Sequence, residues 1–501
     1  MSSISPVWEQ ITAHVREFDV LKGLEGIVSW DQQVFMPSGG VNHRGDQLAY
    51  IAKAMHRRLS DPRLGEWLAA LRDATDELTD VQRAALRNLD REYQSSIRVP
   101  AALVGQLAEA TAVGYGSWMK ARQEGDYSLF APSLTKLLEL TRQRAEAIDS
   151  TRHPYDVLLD EFDPGVQLDQ LRPLFDRLQE GLGELQGAVS SKPVPPKLDQ
   201  PFDLGKQKTF HRDVVARLGY DFECGRLDAA EHPFTVSMGR KDVRITTHLY
   251  EYDLLRGLSG SIHEAGHGMY EQGLPDKSGT TIDWPASYGL HESQSRFWEN
   301  NVGRSRPFCV WLEKRLKDHF PGIDCGADLL YGASNRVEAG LIRVNADEVT
   351  YNLHIAVRMK IEVALFEGRL TVADLPGAWN EAYKKTLGIT PANDVDGVLQ
   401  DVHWASGAFG YFPSYTLGNI YAASLGAAME ADLPEMWQHV ESGDFEPLLI
   451  WLREKVHSPG FLLDTPQLVR RVVGERDMVA DFLDYLWKRQ GDVCGVHRGH
   501  E

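Results

Sequence analysis

The sequence predicts a mainly α-helical fold with one small β-sheet, and three observations predict it. Apolar residues recur at three- and four-residue spacing, with charges between them, over 101–122, 134–150, 167–187, 350–367 and 466–489. That is the period of an amphipathic helix. Strand-like alternation has one good case, residues 242–250, where Val243, Ile245, Thr247 and Leu249 alternate with Arg244, Thr246 and His248. Finally, 43% of the 501 residues are apolar, enough for a substantial core.

One stretch interrupts the helical pattern. Residues 192–201, KPVPPKLDQP, cannot be helical and predict a connector. It divides a helical first part, about 1–191, from a second part, about 202–501, that carries the chemistry. No internal repeat or low-complexity tract is visible, and the chain reads as a single unit, 1–501.

Composition excludes several function classes. The 53 basic against 72 acidic residues leave a net charge of -19, unsuited to gripping a phosphate backbone, so no nucleic-acid partner is expected. Cys224, Cys309, Cys325 and Cys494 are scattered, which fits a reducing, cytoplasmic setting. The start, MSSISPVWEQ, has no secretory pattern. From Val402 to Met429 there is no Asp, Glu, Lys or Arg. Its His403, Ser406, Pro413, Ser414, Asn419 and four glycines would be stranded in lipid, so it predicts buried interior lining a cleft, with no membrane partner.

The strongest local signal is LLRGLSGSIHEAGHGMYEQG, residues 254–273. His263 and His267 stand one helical turn apart, so both imidazoles can reach one cation. Glu264 between them can act as general base on a water. A surface helix with two solvated histidines would look the same. Gly266 and Gly268 argue against that, because two glycines weaken a helix unless something approaches closely. A catalytic site needs a third protein ligand and one open position. A third histidine in the metzincin pattern would fall at Gly273, so that class is out. On the following helix, GLHESQSRFWENN, Glu292 and Glu299 lie two turns apart on one face, and His291 is a weaker option. Spacing favours Glu292 only slightly, and a helical ion pair with Arg296 would explain it equally well.

Several motifs together resemble one family, the carboxypeptidase Taq type of metallocarboxypeptidases. They are HPF (His232 to Phe234), DVRIT (Asp242 to Thr246), HEAGH (His263 to His267), HESQ (His291 to Gln294), IRVNAD (Ile342 to Asp347) and GVLQDVHW (Gly397 to Trp404), in the family's order and without departure at any motif position. WDQQVFMP, Trp30 to Pro37, is also familiar. The resemblance implies a long helical body with a deep groove, related to neurolysin-like gluzincins and usually homodimeric. It implies Zn2+ held by His263, His267 and Glu292, with Co2+ a possible substitute, and Glu264 as the base. The substrates it implies are peptides with a free C-terminus, trimmed with broad specificity.

The remaining motifs are then read physically. A terminal carboxylate suits the planar fork of arginine, and Arg343 is the expected partner, against the simpler reading that it pairs with Asp347. Arg244 would face a peptide added to an edge strand, or be held by Asp242. His403, Tyr411 and Tyr415 are candidate donors to a developing oxyanion, with Tyr415 preferred and Tyr411 left as a substrate contact. An oligopeptidase or endopeptidase on the same fold, and a non-catalytic peptide-binding protein, are the competing readings. The terminal His497 and His500 receive no functional weight.

Overall fold

The computed structural model describes residues 4–277 and 279–498, so His500 lies outside the described residues. Among the described residues the chain is mainly helical, with one sheet of three short strands. The helices that build the site are α1 (Ile4–Val34), α2 (Leu254–Gly273), α3 (Tyr288–Arg296), α4 (Tyr351–Phe366) and α5 (Phe412–Asp432). The periodic segments fold as helices Ala101–Glu124, Ala131–Ile148, Leu168–Ser190 and α4. The segment expected as one helix over 466–489 is two, Thr465–Val473 and Met478–Cys494. Gly474, at φ 74°, turns the chain between them.

Residues 192–203 carry neither helix nor strand. They do not divide the core. One apolar cluster runs from Trp118 to Val496, drawing on residues from both sides of that segment. A smaller cluster joins α1 to the helices that follow it, from Ile4 to Leu89. The uncharged stretch becomes a short turn and α5, which is buried almost all round. Among the described residues, no helix is long and apolar enough to cross a membrane.

The strands are β1 (Gly225–Ala229), β2 (Thr235–Ser237) and β3 (Val243–Thr247), in the order β1-β3-β2. β3 is parallel to β1, with Leu227 opposite Ile245, and antiparallel to β2, with Val236 opposite Arg244. Of the two readings of Arg244, the one with a peptide added to an edge strand is corrected here, and the one with Arg244 held by Asp242 is observed. Its strand is the central one, with both backbone edges already paired, so β3 cannot receive a substrate strand. The Arg244 side chain bonds Asp242 through Nε and Nη2, both at 2.8 Å, and lies 4.4 Å over the Trp30 ring.

α2 begins where the Asp253 side chain accepts from the Arg256 N–H, and it buries Leu254, Leu258, Ile262, Ala265 and Met269. α3 begins at Ser287, whose hydroxyl accepts from the Leu290 N–H. It runs on into a π-helical turn, Phe297–Val302, which carries Glu299. The glycines of α2 mark close approaches. A Cβ on Gly266 would lie 2.6 Å from Ser295 Cα and 2.7 Å from Gln294 O, so this residue lets α2 and α3 touch backbone to backbone. Gly268 does the same against the Tyr220 ring.

Candidate active site

α2 and α3 cross where their polar residues meet. His263 and His267 stack down one face of α2, ring centroids 4.8 Å apart. Glu292 comes in from α3, its Oε2 lying 3.6 Å from His263 Nε2 and 3.4 Å from His267 Nε2. The three donor atoms lie within 4.8 Å of one another. Those separations are long for hydrogen bonds. They match the spacing of about 3.4 Å between neighbouring donors of a tetrahedral ion with bonds of about 2.0–2.1 Å. Two imidazoles and one carboxylate, with no fourth His, Cys, Asp or Glu donor in the group among the described residues, fit a catalytic divalent ion rather than a structural one.

Glu299, the rival of Glu292 on spacing, has another role. Its Oε2 accepts from His263 Nδ1 at 2.8 Å, while Ser259 Oγ and Arg304 Nη2 donate to Oε1 at 2.7 and 3.1 Å. His291, the third option, turns away: its Nε2 bonds Glu271 Oε1 at 3.0 Å, and its ring stacks on His267 at 4.3 Å. Glu292 keeps the ion pair with Arg296 that spacing suggests, Nε to Oε1 at 2.6 Å. The two readings of Glu292 are therefore compatible, one carboxylate oxygen serving each.

The site's glutamates are tuned apart. Burial pushes the Glu264 carboxyl above its ordinary range, although His263 and the 2.6 Å bond from Thr235 Oγ1 pull it back. Burial acts on Glu292 in the same direction, but Arg296 and His263 outweigh it and hold that carboxylate well below the usual range. Burial pushes His267 down to about 3, with His291 adding to the effect, so its imidazole is neutral. A neutral imidazole is the form that can ligate a cation.

Arg343 is buried, at 6% exposure, and does not pair with Asp347. It lies in a 3-10 turn, Arg343–Asn345. The Asp347 carboxylate instead accepts from the backbone N–H groups of Val349 and Thr350. The Arg343 guanidinium donates from Nε and Nη2 to Asp401 Oδ1, at 3.0 and 2.8 Å, and from Nη1 to Tyr351 Oη at 3.1 Å. Arg358 Nε takes the other Asp401 oxygen at 2.7 Å. Tyr351 also lies under Arg296, 4.7 Å from its ring centroid, so one side chain joins Arg343 to the Glu292 ion pair.

His403, Tyr411 and Tyr415 come together beside Arg343. His403 Nε2 and Tyr415 Oη are 3.2 Å apart, and the Arg343 guanidinium lies 5.0 Å over the Tyr415 ring. The Tyr411 ring is 5.1 Å from that of Tyr415 and packs edge-on against Phe162 and Tyr288. Burial, helped by Arg343, pushes His403 down to about 3 and leaves it neutral. Thr235, Asp401, Arg358 and Tyr351 were not singled out from sequence. Thr235 directly follows the HPF motif and Asp401 lies inside GVLQDVHW, so a signal existed for both.

The comparisons with known proteins agree along the whole chain. The family model described as carboxypeptidase Taq (M32) metallopeptidase matches residues 10–490. Thermostable carboxypeptidase 1 of Thermus thermophilus is 40% identical, covering 97% of this chain and 99% of that protein. Carboxypeptidase 1 of Bacillus subtilis is 37% identical, over 95% of this chain and 97% of its own. Among solved structures, the carboxypeptidase of this family from Deinococcus radiodurans superposes with a TM-score of 0.94 at 36% identity, covering 98% of this chain and all of the other. Metallocarboxypeptidase 1 of Trypanosoma cruzi gives 0.92 at 32% identity, over 97% and 99%. A donor set suited to one divalent ion, on a helical frame shared end to end with these carboxypeptidases, places the chain in the carboxypeptidase Taq family of metallopeptidases.

Proposed function

We propose that this peptidase uses zinc, held by His263, His267 and Glu292, to remove residues one at a time from the free C-terminus of peptides with broad side-chain tolerance. The observation that carries the reading is the convergence of those three donors beside a buried, protonatable Glu264. Once bound, the ion supplies Lewis acidity for the scissile carbonyl and acidifies a water, whose pKa falls from 15.7 to about 7. The same donor set accepts Co2+.

The protein's own residues do the rest. Glu264, oriented by Thr235, takes a proton from the attacking water and later gives it to the leaving amine. Tyr415 and His403 donate to the oxyanion as it forms, from side chains that are mostly withdrawn from solvent. Arg343, its guanidinium held by Asp401 and Tyr351, meets the terminal carboxylate. Arg244, tied to Asp242 in the central strand, supports the sheet that carries Thr235. We further propose a cytoplasmic homodimer: the four cysteines are free, and the dimer rests on the resemblance.

The test compares an N-blocked peptide acid with its C-terminal amide, on zinc-loaded protein, by mass spectrometry. Stepwise shortening of the acid alone, stopped by chelation, is the expected result. Cleavage of both would make the protein an endopeptidase and remove the role of Arg343. Binding of both without cleavage would favour a peptide-binding protein.

A further inference from the structure

Glu362, on α4, is fully buried and has no part in the chemistry above. Its three partners are all neutral donors. Tyr155 Oη donates to Oε2 at 2.7 Å, Trp404 Nε1 to Oε1 at 2.7 Å, and the Gly410 N–H to Oε2 at 3.1 Å. Trp404 directly follows His403, and Gly410 directly precedes Tyr411. The carboxylate therefore clasps both ends of the segment 403–411, which leads into the first turn of α5 and Tyr415.

A buried carboxylate is an expensive way to fill this space. Arg358 stands one turn back on the same helix, but its guanidinium is committed to Asp401. Burial accordingly pushes Glu362 up to about 7, with the three hydrogen bonds and Arg358 pulling back only in part. An apolar side chain of similar size would pack here at lower cost. It could not join the two ends of the segment. That segment turns on two glycines at positive φ, Gly407 at 71° and Gly410 at 87°. Gly410 lies so close to Leu158 that a Cβ would stand 3.0 Å from the Leu158 carbonyl carbon.

We propose that Glu362 is a positioning residue of the reaction: it holds the 403–411 segment so that His403 and Tyr415 present their polar atoms to the oxyanion. It touches no reacting atom and acts through those two residues. The inference rests on the role given to His403 under Proposed function.

The experiment is a double-mutant cycle on metal-loaded protein, with an N-blocked peptide acid as substrate. It uses Glu362→Gln, His403→Ala and the pair, each checked for fold by circular dichroism and for bound metal. Glu362→Gln is expected to lower kcat about 10- to 100-fold, with KM within about twofold and metal content unchanged. In the His403→Ala background the same change should cost less than about threefold, because its route to the chemistry is already gone. A purely structural role would give the same fold-loss in both backgrounds. That result, or an unchanged kcat in Glu362→Gln, overturns the proposal. If Glu362→Gln does not fold, Trp404→Phe removes a single donor and is carried through the same cycle under the same criteria. A wild-type kcat in His403→Ala overturns the oxyanion assignment and this inference together. A slow His403→Ala beside an unaffected Glu362→Gln overturns this inference alone.

Discussion

Glu299 and Glu292 reach the same imidazole from opposite sides: Glu299 Oε2 lies 2.8 Å from Nδ1 of His263, and Glu292 Oε2 lies 3.6 Å from Nε2. The carboxylate of Glu299 can only accept, so Nδ1 carries a proton and Nε2 is the nitrogen turned toward the donor cluster.

Glu299→Gln should therefore weaken metal binding while leaving all three donors in place. Loss of the ionised partner is expected to raise the Kd for zinc about 10- to 100-fold, measured by competition with a chromogenic chelator. An unchanged Kd would mean that the Glu299 contact does not govern the ring.

Glu264→Gln should separate binding from turnover. The amide keeps the size of the side chain but cannot take up a proton, so metal content stays stoichiometric while kcat falls about a hundredfold to ten-thousandfold. Substantial residual activity at full metal loading would end the assignment of Glu264 as base.

Arg343→Lys keeps the charge and loses the fork. Two charge-assisted bonds to a terminal carboxylate become one at best, so KM for peptide acids should rise about 10- to 100-fold. Steady-state kinetics on a dipeptide acid read this directly, and an unaltered KM would place the carboxylate elsewhere.

His457 gives a pH prediction. It is buried, its Nε2 is 2.9 Å from Gln294 Oε1, and burial pushes it down to about 3. The folded value lies below the unfolded one, near 6.5. The stability that neutral His457 contributes is therefore present above about pH 6.5 and is lost as the pH falls towards 3. Between pH 7 and pH 5 the wild type should lose about 2 kcal/mol more than His457→Gln, read from urea unfolding at the two pH values. Parallel losses would show that another group governs acid sensitivity.

Gly266→Ala should damage the centre through the backbone. With Ser295 Cα 2.6 Å from the new methyl group, α2 and α3 must separate, at a cost of about 1–3 kcal/mol. Zinc affinity should fall with stability, because the donors come from both helices. Full stability together with wild-type affinity would contradict the packing argument.

The parts legible in the sequence were those with a strong local period. The helices over 101–122 and 350–367, the strand at Val243, and the one-turn spacing of His263 and His267 all depend on neighbours within a few residues. The break at Gly474 was missed because the apolar period continues across it, and one glycine at positive φ leaves little compositional trace. The centrality of β3 was not legible, since pairing order depends on β1 and β2 from outside the strand. Spacing alone could not separate Glu292 from Glu299, because the second carboxylate sits within a π-helical turn and not on the regular helix that carries the first. Arg343 posed the same difficulty: its partner Asp401 is distant in sequence, whereas Asp347, four residues away, is engaged by its own backbone.

The pairing of Arg296 with Glu292 has a further consequence, for how the enzyme acquires its cofactor. A cluster of carboxylates and imidazoles lacking any fixed positive charge would repel itself until an ion arrived, as in small domains that fold only on the metal. Here Arg296 and Arg304 already neutralise Glu292 and Glu299, and the crossing of α2 and α3 is secured by packing at Gly266. The arrangement of the donors therefore has charge compensation and packing of its own, apart from the ion. Such a centre is a preformed receptor, so the supply of the divalent ion is expected to set how much of the population is active rather than how much survives.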